Sequence, residues 1–287
     1  MSHAVVVGVD GSDTSKVAAE WAAQEAYRSG RPLWMIHAGA AAEAFAPTEP
    51  DFGGELLPQP VLAVRDHIAR VLPGLEIVCR HVPGNPAYVL AAAGGRDGLL
   101  VVGSRGSGGF TGLLVGSIAL RTAARAHCPV VLVRAGADGP GAASGDVVVG
   151  LDSGLPSGEV LAFAFEQAAA RAATLRVLES RTLPAGPYLT EAPVGQCEIR
   201  DSLAAAELAR LQDALAPWRE KFPEVRVEAE VTAWPAGRVL VEASRGASLT
   251  VVGRRTSGLH SAAPWLGGVA HAVLHHAHGP VVVVPHA

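Results

Sequence analysis

Short apolar runs alternate along this chain with longer segments whose apolar residues recur at helical spacing. Ala4 to Val9 is a β-branched run without apolar–polar alternation, the pattern of a central parallel strand covered on both faces. It ends in Asp10-Gly11-Ser12. Thr14 to Ser29 sets Val17, Ala18, Trp21 and Ala22 on one helical stripe, and Gly30 follows where a helix C-cap belongs. The pattern then predicts a strand over Pro32 to Ala38, a helix over Val61 to Leu72 and a strand over Leu75 to Val82. After the turn Pro83-Gly84-Asn85 come a short helix over Pro86 to Gly94, a strand over Leu99 to Val102, a helix from Gly116-Ser117 to about His127, and a strand over Pro129 to Arg134. Gly39 to Pro60 is rich in Ala, Pro, Gly and acid, and Pro47, Pro50, Pro58 and Pro60 predict a long, mobile loop. The order β-α-β-α-β-α-β-α-β implies an α/β fold with a parallel sheet and right-handed crossovers.

Past the small-residue linker AGADGPGAASG the plan starts again. DVVVGLDSG at Asp146 to Gly154 echoes AVVVGVDGS at Ala4 to Ser12, SLTVVGRRTSG at Ser248 to Gly258 echoes GLLVVGSRGSG at Gly98 to Gly108, and GPVVVVP at Gly279 to Pro285 echoes CPVVLVR at Cys128 to Arg134. Asp152 follows Asp10 by 142 positions, Gly253 follows Gly103 by 150, and Pro280 follows Pro129 by 151. A near-constant offset of that size means one complete fold copied, since solenoid units run to only about 20–50 residues. Domain 1 is assigned to residues 1–135, the linker to 136–145 and domain 2 to 146–287.

Composition narrows the partners. A net charge of −4 gives no global attraction to nucleic acid or to an anionic membrane. The start MSHAVVVGVDGS lacks the apolar core of a signal peptide, and every later apolar run is broken well before the length of a membrane span, so a cytoplasmic chain with no membrane partner is expected. The three cysteines, Cys79, Cys128 and Cys197, are too scattered for a disulfide framework or a metal knuckle and read as small buried hydrophobes.

The chemistry concentrates at Val101 to Ser117, VVGSRGSGGFTGLLVGS, where an apolar strand breaks into a glycine-rich loop and a helix opens at Gly116-Ser117. The first amides of a helix lack intrahelical partners and carry the positive end of its dipole, so loop and helix start form an anion cradle, most simply for a nucleotide phosphate. Glycines that merely permit a tight turn are the competing reading. Asp10 carries a similar alternative, that of a turn or helix-capping residue.

With Gly103, Gly106, Gly116 and Ser117 spaced as Gly, two residues, Gly, nine residues, Gly-Ser after the fourth strand, and Asp10 ending the first, the chain resembles the universal stress protein family in its tandem two-domain form. The resemblance covers nearly the whole chain. It implies two doubly wound, Rossmann-like domains of the HUP type, each a five-stranded parallel sheet in the order 3-2-1-4-5 flanked by helices, with ligand bound where strands one and four part. It also implies ATP as cofactor, with magnesium accompanying it. Asp10, Gly11, Ser12, Ala38, Gly103, Arg105, Gly106, Gly116 and Ser117 are the corresponding site: Asp10 for ribose hydroxyls or the adenine amino group, Ala38 beside adenine, and Arg105 for phosphate charge. An arginine at a loop tip is also commonly just solvated.

The second copy departs from the pattern. Asp152 and Gly253 remain, but Thr256 stands where the second glycine belongs, the spacer to Gly267 is one residue longer, and Gly268 replaces the terminal hydroxyl residue. Asp152, Ser180, Gly253, Gly267 and Gly268 are therefore expected to form a vestigial site with weaker or no nucleotide binding, the Thr256 Cβ filling the loop. His271, His275, His276 and His278 cluster near the last helix, but no HExxH glutamate accompanies them and no metal site is expected. Ser104, Ser107 and Thr111 fall on a loop predicted to be exposed, and Trp218, Trp234 and Trp265 are expected to pack, with an exposed tryptophan in the second loop as a partner anchor the alternative.

No GxSxG elbow, Walker A motif or kinase signature is present, so no catalytic residue is assigned. The resemblance thus implies an ATP-binding stress-response switch, at most slowly hydrolytic. A nucleotide-independent dimerising scaffold and a nucleotide-hydrolysing enzyme are the alternatives. The fifth strands need edge cover, so they are expected to pair within the chain, with homodimers built on another surface.

Overall fold

The computed structural model describes residues 4–39, 57–106, 114–134, 145–152, 157–181, 195–256 and 265–287, with the side chains of 195–204 left aside. The N-terminal half runs β1 (Val5–Gly8), α1 (Asp13–Ser29), β2 (Leu33–Gly39), α2 (Gln59–Val71), β3 (Ile77–Pro83), α3 (Pro86–Ala93), β4 (Leu99–Gly103), α4 (Ser117–Arg125) and β5 (Val130–Val133). The C-terminal half repeats it as β6 (Val147–Leu151), α5 (Gly158–Arg171), β7 (Leu175–Ser180), α6 (Gly195–Lys221), β8 (Val227–Thr232), α7 (Ala236–Ala243), β9 (Leu249–Arg255), α8 (Gly268–His276) and β10 (Val281–His286).

All ten strands form one sheet in the order β3-β2-β1-β4-β5-β10-β9-β6-β7-β8. Pairing is parallel within each half and antiparallel at the seam, where Val281, Val282 and Val283 face Leu132, Val131 and Val130. Successive strand side chains point to opposite faces. Val5, Val7 and Val101 therefore enter the layer under α1, α2, α5 and α6, while Val6, Leu100 and Val102 enter the layer under α3, α4, α7 and α8. Burial on both faces is why these strands read as unbroken apolar runs.

The seam is tied on the α1/α5 face by a buried ionic group. The Glu25 carboxylate takes Arg171 of domain 2 at 2.8 Å and Arg28 at 2.6 Å, and Gln167 adds a bond at 3.3 Å. Arg171 carries a depressed pKa because burial removes water from its guanidinium. Losing one partner of such a pair leaves an uncompensated buried charge, typically about 3–5 kcal/mol.

One boundary corrects the sequence reading. Pro58 and Pro60 do not block regular structure, since Pro58 is the N-cap of α2 and Pro60 lies in its first turn. Proline is tolerated there because the first helical amides have no intrahelical acceptor to lose. Residues 40–56 of the expected loop lie outside the described residues.

Candidate functional site

The domain 1 crevice opens at the carboxyl ends of β1 and β4, where their crossovers part to opposite faces. Ser12 caps α1 by accepting from the Ser15 amide, and Gly11, at φ +84°, turns the chain into it. Asp10 Oδ1 accepts from the Ser12 amide at 3.0 Å and the Ser12 hydroxyl at 2.6 Å, which fixes the carboxylate at the crevice wall. Asp10 is therefore both a turn residue and a wall of the site.

Opposite it, β4 stops at Gly103. The Ser104 amide bonds Val133 O at 2.7 Å, and the Gly116 amide returns to Ser104 O at 2.7 Å, pinning both ends of the glycine loop. This brings Gly106 against Asp10, so that a Cβ there would sit 2.7 Å from Oδ2. A Cβ on Gly103 would instead meet Thr14 O at 2.9 Å. The requirement at Gly103 is thus close packing of α1 on the strand end, a reason the spacing alone did not supply.

At the third corner Gly116 caps α4 without any side-chain bond, and no acidic residue occupies the first turn, leaving the opening amides for an anion. A cavity of about 220 Å³ joins Asp10, Ala38, Gly103, Arg105, Gly106, Gly116 and Ser117. Gly11 and Ser12 do not line it; they build the turn beneath. Sequence reasoning missed its apolar wall, Ile36, Leu90 and Val102, and the hydroxyls of Ser15 and Ser104. Ser104 is buried rather than loop-exposed, while Ser107 and Thr111 lie outside the described residues.

Domain 2 has the larger cavity, about 550 Å³, lined by Asp152, Ser180, Gly253 and Gly267 but not Gly268. Its polar end differs. Arg181 lies 3.7 Å from Asp152, 2.8 Å from the buried carboxylate of Glu179 and 3.4 Å from Glu207. Ser180 donates to Trp234 O at 2.6 Å. β9 continues to Arg255 beside His286, and Thr256 gives both its amide (2.7 Å) and its hydroxyl (2.8 Å) to His286 O. Thr256 is thus bonded to the C-terminal strand, and the loop its Cβ was expected to fill lies outside the described residues.

Other candidates resolve differently. Trp218 packs on Phe165 and Phe222. Trp234 and Trp265 do not pack as expected, at 60% and 73% exposure, although Arg238 lies over the Trp234 ring. Cys128 is fully buried and its thiol is pushed up to about 11 by burial, Cys79 is only partly buried, and the Cys197 side chain lies outside the described residues. The His271 and His275 rings lie 4.4 Å apart, and among the described residues no group of three metal-ligating side chains assembles. No described helix is long and apolar enough to cross a membrane.

Comparison with known proteins places this geometry in context. The sequence profile of the Universal stress protein family matches residues 1–134 and 144–285. Universal stress protein Rv2005c of Mycobacterium tuberculosis is 30% identical over 98% of this chain and 96% of its own, and Universal stress protein Rv2623 of the same organism matches to the same extent. The crystal structure of a universal stress protein from Archaeoglobus fulgidus covers 100% of this chain and 97% of its own at a TM-score of 0.61 and 15% identity, a likeness of fold.

Proposed function

Since the chain belongs to the universal stress protein family, in tandem two-domain form, we propose that domain 1 reversibly binds an adenine nucleotide, ATP in the first instance, and that occupancy is its signal. The observation that carries this reading is Gly106 set against Asp10, with Gly116 bonded to Ser104 O beside it. This arrangement sets a carboxylate, a close-approach glycine and the uncapped start of α4 around one cavity. Ile36, Ala38, Leu90 and Val102 provide an apolar wall suited to a base. Asp10 accepts from ribose or the adenine amino group, the opening amides of α4 with Ser117 receive phosphate, and Arg105 adds charge at the rim.

Magnesium would arrive with the phosphates. A site with one carboxylate, Asp10, and several hydroxyls suits an ion held mainly by phosphate oxygens and water. On this reading the protein is a nucleotide binder with at most slow hydrolysis, and the described residues lining the cavity include neither histidine nor lysine. Its working compartment on this reading is the cytoplasm. The antiparallel seam makes the chain an internal dimer of domains, and homodimers would form on a different surface.

Calorimetric titration of the purified chain with ATP, ADP and AMP tests the proposal. Saturable binding that disappears in the Gly106→Ala, Gly116→Ala double variant is expected. A wild-type protein that binds none of the three would leave the nucleotide-independent scaffold as the better reading.

A further inference from the structure

Two arginines cross the domain seam in opposite directions. Arg134, just past β5, donates through Nη2 to Leu274 O in the last turn of α8. Arg254, in β9, donates through Nη2 to Ala126 O, the C-cap residue of α4. Each guanidinium therefore sits at the negative end of a helix belonging to the other domain, where the last carbonyls lack intrahelical donors. Burial depresses the pKa of both.

The two straps hold unequal helices. On α8 the buried set includes Val273 and Leu274, which key into the core. On α4 it is Ala119, Thr122 and Ala123. Short side chains grip a helix weakly, since each contributes few contacts. The position equivalent to Arg254 in domain 1, 150 residues earlier, is Ser104, so the guanidinium is peculiar to the second copy. It is 7% exposed, and among the described residues no carboxylate pairs with it. The nearby Cys128 thiol is held neutral by the same burial that pushes it up to about 11. A buried cation held by a helix end is a costly arrangement to maintain unless that helix end needs fixing.

We propose that Arg254 is a positioning residue for the nucleotide crevice of the other domain. By holding the C-terminal end of α4 it fixes the direction of a helix whose opening amides, about 13 Å away at 1.5 Å per residue, form the phosphate side of that crevice. The inference rests on the nucleotide reading of domain 1 for its functional meaning, but the rigidity of α4 can be measured without any ligand.

The test uses the full chain in four forms: wild type, Arg254→Gln, Arg254→Lys and Arg171→Gln. The last breaks the interdomain bond on the opposite face, away from α4. Arg254→Gln is expected to bind ATP roughly tenfold more weakly, in line with loss of a partly buried helix-end cation. Arg254→Lys should recover most of that loss, and Arg171→Gln should lower the melting temperature while ATP affinity stays within about twofold of wild type. In ligand-free protein, amide hydrogen exchange at residues 120–122, in the middle of α4, should quicken in Arg254→Gln while α1 is unchanged.

Wild-type exchange rates in α4 of Arg254→Gln would overturn the proposal, as would a folded Arg254→Gln protein that binds ATP normally. An Arg254→Gln chain that fails to fold would make the residue a general structural one and would equally overturn it. A wild-type chain that binds no nucleotide would instead sink the functional reading, and the exchange experiment would still decide whether Arg254 orders α4.

Discussion

The two crevices begin from the same pattern and end their fourth strands differently. In domain 1, β4 stops at Gly103, the Gly116 amide bonds Ser104 O, and Gly106 lies against Asp10 Oδ2. In domain 2, β9 runs on to Arg255 and Thr256 is held by His286 O through two bonds, so the chain continues along its neighbour. Asp152, the counterpart of Asp10, lies by Arg181. The larger cavity is thus the one where the fourth strand of its half runs on to Arg255. What separates the two crevices is where the strand lets go. β4 ends at Gly103, whereas β9 pairs with β10 as far as Arg255, and Thr256 adds two bonds to His286 O.

The first way to break the comparison is at the strand ends. A Cβ on Gly103 meets backbone, Thr14 O at 2.9 Å. One on Gly253 meets side chains only: the His286 ring at 2.8 Å, at the sheet's end where it can turn aside, and Val160 Cγ2 at 3.2 Å, which needs to give by a few tenths of an ångström. Gly103→Ala is expected to cost about 2–3 kcal/mol and Gly253→Ala about 1 kcal/mol or less, because overpacking is severe only where neighbours cannot move. Urea unfolding of the two variants measures both. Equal costs would show that α1 and His286 yield alike.

The walls come next. Hydrogen bonds to a charged acceptor contribute about 1.5–3 kcal/mol, so Asp10→Asn should weaken ATP binding by roughly ten- to a hundredfold. Asp152→Asn should leave it unchanged, as followed by calorimetry. A smaller effect belongs to the loop residues. Gly106→Thr, importing the domain 2 residue, should weaken ATP about tenfold by pushing against Asp10 Oδ2. Thr256→Gly should lose one side-chain bond, about 1 kcal/mol of stability, without creating a second nucleotide site.

Acid should separate the domains by the smallest margin. On α8, His275 has a pKa lowered from the ordinary 6.5, first by burial and then by His271, His276 and Arg134, while the matching position on α4, 151 residues earlier, is Ala124. The unfolded chain takes up that proton more readily than the folded one, so stability should fall as pH drops below about 6.5. His275→Gln should flatten that part of a stability–pH curve, and an unaltered slope would remove His275 from the account.

Much of this was legible in the chain. Strands buried on both faces, such as Val5 to Gly8 and Leu99 to Gly103, announce themselves because nothing polar can sit in them, and the duplication is readable from Asp10/Asp152 and Gly103/Gly253 alone. Helix starts were less legible, because Pro58 and Pro60 look like breakers until their place in a first turn is known. The apolar wall of Ile36, Leu90 and Val102 comes from three separate elements and leaves no local signal. Trp234 and Trp265 read as packing residues because aromatic residues are usually buried, whereas here Trp265 stands at the rim of the domain 2 cavity and Trp234 lines a separate surface pocket with Arg238. The reach of Arg254 across the seam to Ala126 O joins residues 128 positions apart and leaves no local signal in the sequence.

The central claim is that one crevice per chain is competent for nucleotide. Native mass spectrometry of the intact chain at saturating ATP measures this directly. A single nucleotide adduct per chain, whose half-saturation rises roughly ten- to a hundredfold in Asp10→Asn and stays put in Asp152→Asn when ATP is titrated, is the predicted result; two equally occupied sites per chain, or a single site whose half-saturation is unmoved by Asp10→Asn, would contradict it.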